Sequence, residues 1–197
     1  MKREVIDLTD EVKQSKRHKY LHVANQNCVY LLRLRHPTRK CTYNGSTQNF
    51  HKRLAQHNRV IYFSDKAFTR RQTEEGKYQW EPFCVISGNS LTVRESRQLE
   101  YGIKYNRRMV NNPKHHDRVK FSKYRADGKL CNPLVRRAIS VLNYKKWTTK
   151  CDRKATEVPL TITWYLHDEK PHSNEAYLPA NITEQFGDIS TLPITKA

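Results

Sequence analysis

The chain has 197 residues, a length that suits one core of ordinary size with a small extension. Its 37 Lys and Arg against 19 Asp and Glu leave a formal net charge of +18, a surplus whose natural partner is a polyanion. No apolar run approaches the roughly 20 residues that a membrane helix needs, and charges stand where a secretory leader would have its apolar core, so a soluble intracellular protein is expected.

Residues 1–26 read as a flexible arm, an acidic-apolar patch followed by the basic run Lys13, Lys16, Arg17 and Lys19. From Cys28 to Leu34 the chain is apolar and rich in strand formers, Arg35–Lys40 holds Pro37 and turn formers, and Cys41–Gly45 resumes a short strand, which predicts an antiparallel hairpin. Thr47 is the expected N-cap of a helix running to about Asn58, with Phe50, Arg53, Leu54 and His57 on one stripe. After a polar loop, Trp80–Gly88 is apolar on both alternating faces and should be a central strand.

Thr92 and Glu95 form a capping box opening a helix to about Asn106, whose inward stripe is Val93, Ser96, Leu99, Glu100 and Ile103. Residues 107–131 are a basic, irregular loop. Asn132 and Pro133 then supply N-cap and N1 signals for a helix reaching Lys146, and Leu160, Ile162, Trp164 and Leu166 alternate as a late strand, completing an extension over 132–167. Residues 168–197, with two lysines against five carboxylates and three prolines, read as a loosely attached acidic tail. Cys28, Cys41, Cys84, Cys131 and Cys151 are widely spread without a CxxC pair, which favours reduced thiols over a disulfide framework or a structural zinc site.

Glu100 is informative on physical grounds alone. An ionised carboxylate on an apolar stripe loses hydration and requires a cation or donors to compensate. A salt bridge to Arg53 or Arg97 at the edge of the helix would meet that need, and so would a bound metal ion.

The order of residues across positions 28–105 resembles the GIY-YIG nuclease superfamily. Cys28-Val29-Tyr30 stands where GIY is expected and Tyr43-Asn44-Gly45 where YIG is expected. Gly45-Ser46-Thr47, Arg53 with His57 four residues on, Trp80 at the next strand, and Glu100 followed by Lys104 continue the pattern. Within the superfamily the chain is similar to the eukaryotic structure-specific endonuclease subunits that join this domain to a RING finger and work with a large scaffold. Val29-Tyr30-Leu31-Leu32, Arg53-Leu54, Gln56-His57-Asn58 and Thr69-Arg70 before Trp80-Glu81 carry that likeness, as does the helix Leu134–Trp147 with Pro159-Leu160 after it. The RING finger is not found in this sequence, which leaves the scaffold partnership open. Cys28 in place of the glycine of GIY is compatible with an extended strand, whereas Asn44 in place of the apolar centre of YIG would require hydrogen-bond partners if buried.

The resemblance implies an α+β fold of the GIY-YIG type, a small central antiparallel sheet of about three strands flanked by helices, with the core at 27–106. It implies DNA cleavage giving 5′ phosphate and 3′ hydroxyl ends, at branched or flapped structures, with Tyr30, Tyr43, Arg53, His57 and Glu100 as the catalytic set. Glu100 would hold one divalent cation, Mg²⁺ or alternatively Mn²⁺, which accepts only one or two protein carboxylates. Tyr30 would be the general base, favoured toward phenolate by Arg53, His57 and the cation, Tyr43 would align the water, and Arg53 would grip phosphate oxygens.

Arg70, Lys104, Arg107, Arg108, Lys120 and Lys123 are the expected DNA contacts, neutralising phosphates, with Phe121 and Tyr124 available to stack on unpaired bases. Asn111 and Asn112 are explained as well by turn formation before Pro113 as by a site role. In the arm, Val5, Ile6 and Leu8, flanked by acidic residues, resemble a SUMO-interacting motif, a β-prone segment that adds to a sheet edge. A first strand of the domain or an unstructured arm fits the same residues. SUMO use and the basic run would place the protein in a nucleus or at a viral replication site. The competing readings are a DNA-binding adaptor that has lost turnover, recruited by SUMO, and a scaffold-binding protein.

Overall fold

Strand formers dominate from Cys28 onward, and they build the centre of the molecule. In the computed structural model, which describes residues 26–61, 67–74, 77–105, 124–143, 153, 157–172 and 178–194, β1 (Cys28–Arg35) lies between β2 (Thr42–Thr47) and β3 (Gln79–Ser87). Both pairings are antiparallel, and Tyr30 stands opposite Gly45 on one side and Val85 on the other. A strand flanked on both sides and covered on both faces reads as a continuous apolar run, and Cys28–Leu32 are all buried. The register between β1 and β3 shifts after Leu31, which pairs with Cys84 while Leu32 pairs with Pro82. Phe83 is thus the extra residue of a bulge, and the irregularity accommodates a proline that a regular central strand would reject. The carbonyl of Phe83 instead accepts from the amides of Tyr165 and Leu166 at 3.0 and 3.3 Å.

The sheet has five strands, in the order β2-β1-β3-β4-β5, where about three were expected. The late strand β4 (Leu160–Trp164) pairs antiparallel with β3, Cys84 opposite Trp164. The segment expected as a loose acidic tail supplies β5 (Ile182–Phe186), parallel to β4. Its sequence hides this because an edge strand need not alternate: only Ile182 of β5 is buried. Its acidity is spent locally, Glu184 accepting from Trp164 Nε1 at 2.7 Å and pairing with Lys170 at 3.2 Å.

Helices cover both faces. α1 (Phe50–His57) and the short α2 (Phe68–Gln72) lie over the face that carries Tyr30, Leu32, Leu34 and Trp80, and Leu192 joins that cluster. α3 (Val93–Tyr105) and α4 (Pro133–Leu142) close the other core, with Leu99, Ile103, Val135 and Ile139 against Val29, Leu31 and Ile86. Caps fix the helix starts. Thr92 and Glu95 exchange the reciprocal bonds of a capping box, at 2.9 Å from the Thr92 amide and 3.1 Å from that of Glu95, and Asn132 caps α4 through the Leu134 amide at 2.9 Å.

Two expectations shift. Asn49, not Thr47, caps α1, accepting from the Lys52 amide at 2.9 Å, because Thr47 is still paired in β2 opposite Cys28. α2 falls in a stretch that reads as a polar loop. Five residues are too few to show helical periodicity, and its place is fixed by the Trp80 indole donating to the Thr69 carbonyl at 2.9 Å. No helix among the described residues is long and apolar enough to cross a membrane.

Candidate active site

Tyr30 and Gly45 face one another across the β1–β2 ladder, and the phenol lies over the glycine backbone. A Cβ at Gly45 would stand 2.4 Å from Tyr30 Oη and 2.7 Å from Cζ, so only glycine permits the approach. α1 starts immediately after β2 and carries Arg53 and His57 one turn apart. From its last turn His57 is hydrogen-bonded through Nε2 to Tyr30 Oη at 2.9 Å and through Nδ1 to Thr69 Oγ1 of α2 at 2.7 Å. The three side chains form a continuous buried chain.

Glu100 comes from the opposite side, on α3. Residues 44 and 46 share a face of β2, and that face meets α3: Ser46 Oγ donates to Glu100 Oε2 at 2.6 Å, while Asn44 Nδ2 donates to the Glu100 backbone carbonyl at 3.1 Å. Asn44 is buried, and this bond is the partner that a buried amide requires. The polar centre of the triplet is therefore accounted for by its contact with the helix that carries the carboxylate.

The structure brings Tyr30, Tyr43, Arg53, His57 and Glu100 into one cleft of about 280 Å³, together with Gly45, Ser46, Ala67, Phe68 and Thr69. The aromatic rings are close but not stacked flat: Tyr43 is 5.4 Å from His57 and 6.3 Å from Tyr30, centroid to centroid. Phe68, 47% exposed, stacks beside Tyr43 at 6.5 Å. Sequence reasoning gives no role to Ser46, Phe68 or Thr69. Short hydroxyl residues and a lone loop aromatic have many ordinary uses, and only the folded contacts distinguish these.

Burial sets the protonation states. It raises the Tyr30 phenol well above its ordinary value, and the opposing pull of Arg53 is smaller. The Arg53 guanidinium by itself does not favour the phenolate, because the cost of desolvating the anion outweighs it. Tyr43 is raised too, first by burial and then by Glu100, against the lowering effect of Lys104 and Arg53. His57 is pushed down to about 3 by burial and by Arg53, and so is a neutral imidazole with one donor and one acceptor nitrogen. If the phenol donates to Nε2, Nδ1–H donates to Thr69.

Glu100 with the Ser46 hydroxyl beside it offers hard oxygen donors in an open cleft. No group of three or more His, Cys, Asp and Glu among the described residues is placed to hold a metal ion. That donor set does not suit a closed zinc site but fits Mg²⁺, which keeps several waters and takes one or two carboxylates.

Of the expected DNA contacts, Lys104 is exposed, its Nζ lying 5.3 Å from the Tyr105 ring centre. Arg70, expected at the surface, is only 7% exposed, with Nε and Nη1 of its guanidinium buried. Arg107, Arg108, Lys120 and Lys123 lie outside the described residues, as do Asn111, Asn112 and Val5, Ile6 and Leu8 of the arm.

Comparison with known proteins agrees with this geometry. Residues 26–113 match the GIY-YIG catalytic domain. The chain is 43% identical over 61 residues to structure-specific endonuclease subunit slx1 of Pyrenophora tritici-repentis, and equally so to structure-specific endonuclease subunit SLX1 of Phaeosphaeria nodorum. Each alignment covers 31% of this chain and 15% of the relative, so the chain spans a small fraction of the length of the curated relatives it matches.

Proposed function

We propose that this chain, whose residues 26–113 match the GIY-YIG catalytic domain, is a Mg²⁺-dependent DNA endonuclease acting on branched or flapped DNA. The observation that carries the reading is the convergence of two phenols, a guanidinium, an imidazole and a carboxylate on one cleft. The names of its relatives support a preference for structured DNA.

Glu100, positioned by Ser46, would hold the cation, which when bound supplies Lewis-acid stabilisation of charge on the phosphate and on the departing 3′ oxygen. Arg53 meets the phosphate oxygens from the other wall, where its fixed fork suits a phosphodiester. Tyr30 takes a proton from the attacking water as its own phenolic proton moves along the 2.9 Å bond to His57 Nε2. Water oxygen bonds to phosphorus, the bond from phosphorus to the 3′ oxygen breaks, and that oxygen takes a proton from solvent. Such a relay needs no resting phenolate. The incoming phosphate supplies negative charge that favours the imidazolium, and Thr69 Oγ1 accepts its Nδ1–H. The products would carry 5′ phosphate and 3′ hydroxyl ends.

Nuclear or viral-site residence, and recruitment by SUMO through Val5, Ile6 and Leu8, are further parts of the proposal and rest on the sequence of the arm. The cleavage reading is tested by incubating the full chain with Mg²⁺ and end-labelled flap, fork, four-way and linear DNA. Faster cutting of the branched substrates, with ends that a ligase can reseal, is the expected result. No cutting of any of them, or ends bearing 3′ phosphate, would refute it.

A further inference from the structure

A second, larger depression lies away from the cleft, a groove of about 1050 Å³ at the far end of β1. Side chains alternate along a strand, so Arg33 and Arg35 point to the face that Tyr30 does not use. At about 3.3 Å per residue they stand on the order of 10–16 Å farther along it. The start of β3 forms one wall and the turn before α4 the other.

The charge in this groove is unbalanced. Its two carboxylates are already engaged, Glu81 with Arg33 at 2.6 Å, and Glu169 with Arg125 at 3.1 Å and Arg33 at 3.5 Å. Arg35, Lys40 and Lys77 line the same groove, are exposed, and have no ion pair among the described residues. Arg136, from the first turn of α4, adds a buried Nε–H with no hydrogen-bond partner among the described residues. A buried donor without an acceptor is unfavourable, a cost that an incoming anion oxygen would remove.

We propose that this groove is a second nucleic-acid site, which holds backbone phosphates of a DNA arm extending from the cleft. The identification of the polyanion as DNA rests on the nuclease reading; the groove's geometry does not. Several features favour a nucleic acid over an acidic peptide. Arg35 and Arg136 present guanidinium groups, whose planar forks match phosphate oxygens as well as carboxylates, so the choice rests on the features that follow. The His36 and Tyr78 rings lie 4.0 Å apart, tilted at 47°, within the same lining, offering an aromatic surface of the kind that nucleic acids use. The separation from Tyr30 corresponds to about three to five nucleotide steps at roughly 3.4 Å each. The described end of the basic loop also reaches this place, through Arg125 and Leu130.

The test uses the full chain without divalent cation, so that no turnover intervenes. Binding of fluorescent four-way DNA is measured by anisotropy over a salt series for the wild type and for the combined variant Arg35→Ala, Lys40→Ala, Lys77→Ala. These side chains are exposed, and an unchanged melting temperature confirms that the variant is folded. Each lost phosphate contact lowers the slope of log affinity against log salt by about 0.9, so the slope should fall by about 2–3. In parallel, p-benzoylphenylalanine placed at Lys40 should crosslink to an arm of the DNA on irradiation. An unchanged slope, or no DNA crosslink from position 40, overturns the proposal, as does displacement of that crosslink by poly-glutamate at concentrations that leave DNA affinity unaltered. Loss of the nuclease reading would show separately, as absence of cleavage by the wild type with Mg²⁺.

Discussion

Tyr30 Oη and His57 Nε2 lie 2.9 Å apart, and both groups are buried and neutral. The bond joins the middle of β1 to the last turn of α1, and Thr69 extends it to α2 at 2.7 Å. Three separate elements are thus tied by one polar chain inside a mostly aromatic surround.

This burial makes stability depend on pH. His57 titrates near 6.5 when unfolded and near 3 when folded, so between those values the unfolded chain binds the extra proton. Its contribution is present in full above about pH 6.5 and is lost as pH falls toward 3. Urea unfolding at pH 7, 6, 5 and 4.5 should show His57→Gln with a shallower decline than the wild type, the slopes differing by up to about 1.4 kcal/mol per pH unit. Parallel declines would show that His57 does not titrate in this way.

Gly45→Ala should damage the site and the fold together. The new methyl would meet Tyr30 at 2.4 Å, and that ring is held between β2, Phe50 and His57 with little room to shift. Overpacking of this kind costs about 1–3 kcal/mol, and cleavage should fall because the phenol must leave His57. A variant with wild-type melting and wild-type cleavage would contradict the contact.

Ser46→Ala removes the donor to Glu100 Oε2 and leaves the backbone of β2 unchanged. Because the hydroxyl orients the carboxylate, the Mg²⁺ concentration for half-maximal cleavage should rise several-fold, with melting altered by no more than about 1 kcal/mol. Titration of cleavage against Mg²⁺ reads this directly, and an unaltered Mg²⁺ dependence would remove Ser46 from the site.

Outside the cleft, Glu95 joins the capping box to Arg153, accepting from Nε at 2.6 Å and from Nη2 at 2.7 Å. The Arg153 guanidinium beside it holds the carboxyl down at about 2. That stability is present above the ordinary carboxylate range and is lost as pH falls toward 2. Thr92→Ala should cost about 1 kcal/mol through the cap alone, measured by thermal melting at neutral pH, and a neutral effect would count against the cap.

How much of this was legible in the sequence differs by element. The hairpin, the central strand, the capping box and the Asn132-Pro133 start were readable because apolar runs and cap chemistry are local properties of the chain. The five residues of the cleft came from the resemblance to the GIY-YIG pattern, and the fold brings them together. β5 was not legible, because an edge strand with one buried residue carries no alternation, and α2 was too short to show a period. The burial of Arg70 was not legible either, since it follows from how Trp80 and Thr69 seat α2, a tertiary effect. The large groove also escaped notice. Its cations come from four separated stretches of chain and meet only in the fold.

The measurement closest to the central claim is a single-turnover comparison on one branched DNA with Mg²⁺, using wild type, Tyr30→Phe and Glu100→Gln, with DNA affinity measured for each. The arrangement predicts that both variants bind within a few-fold of the wild type and cut at least about 10²-fold more slowly. Equal single-turnover rates for all three proteins would contradict it.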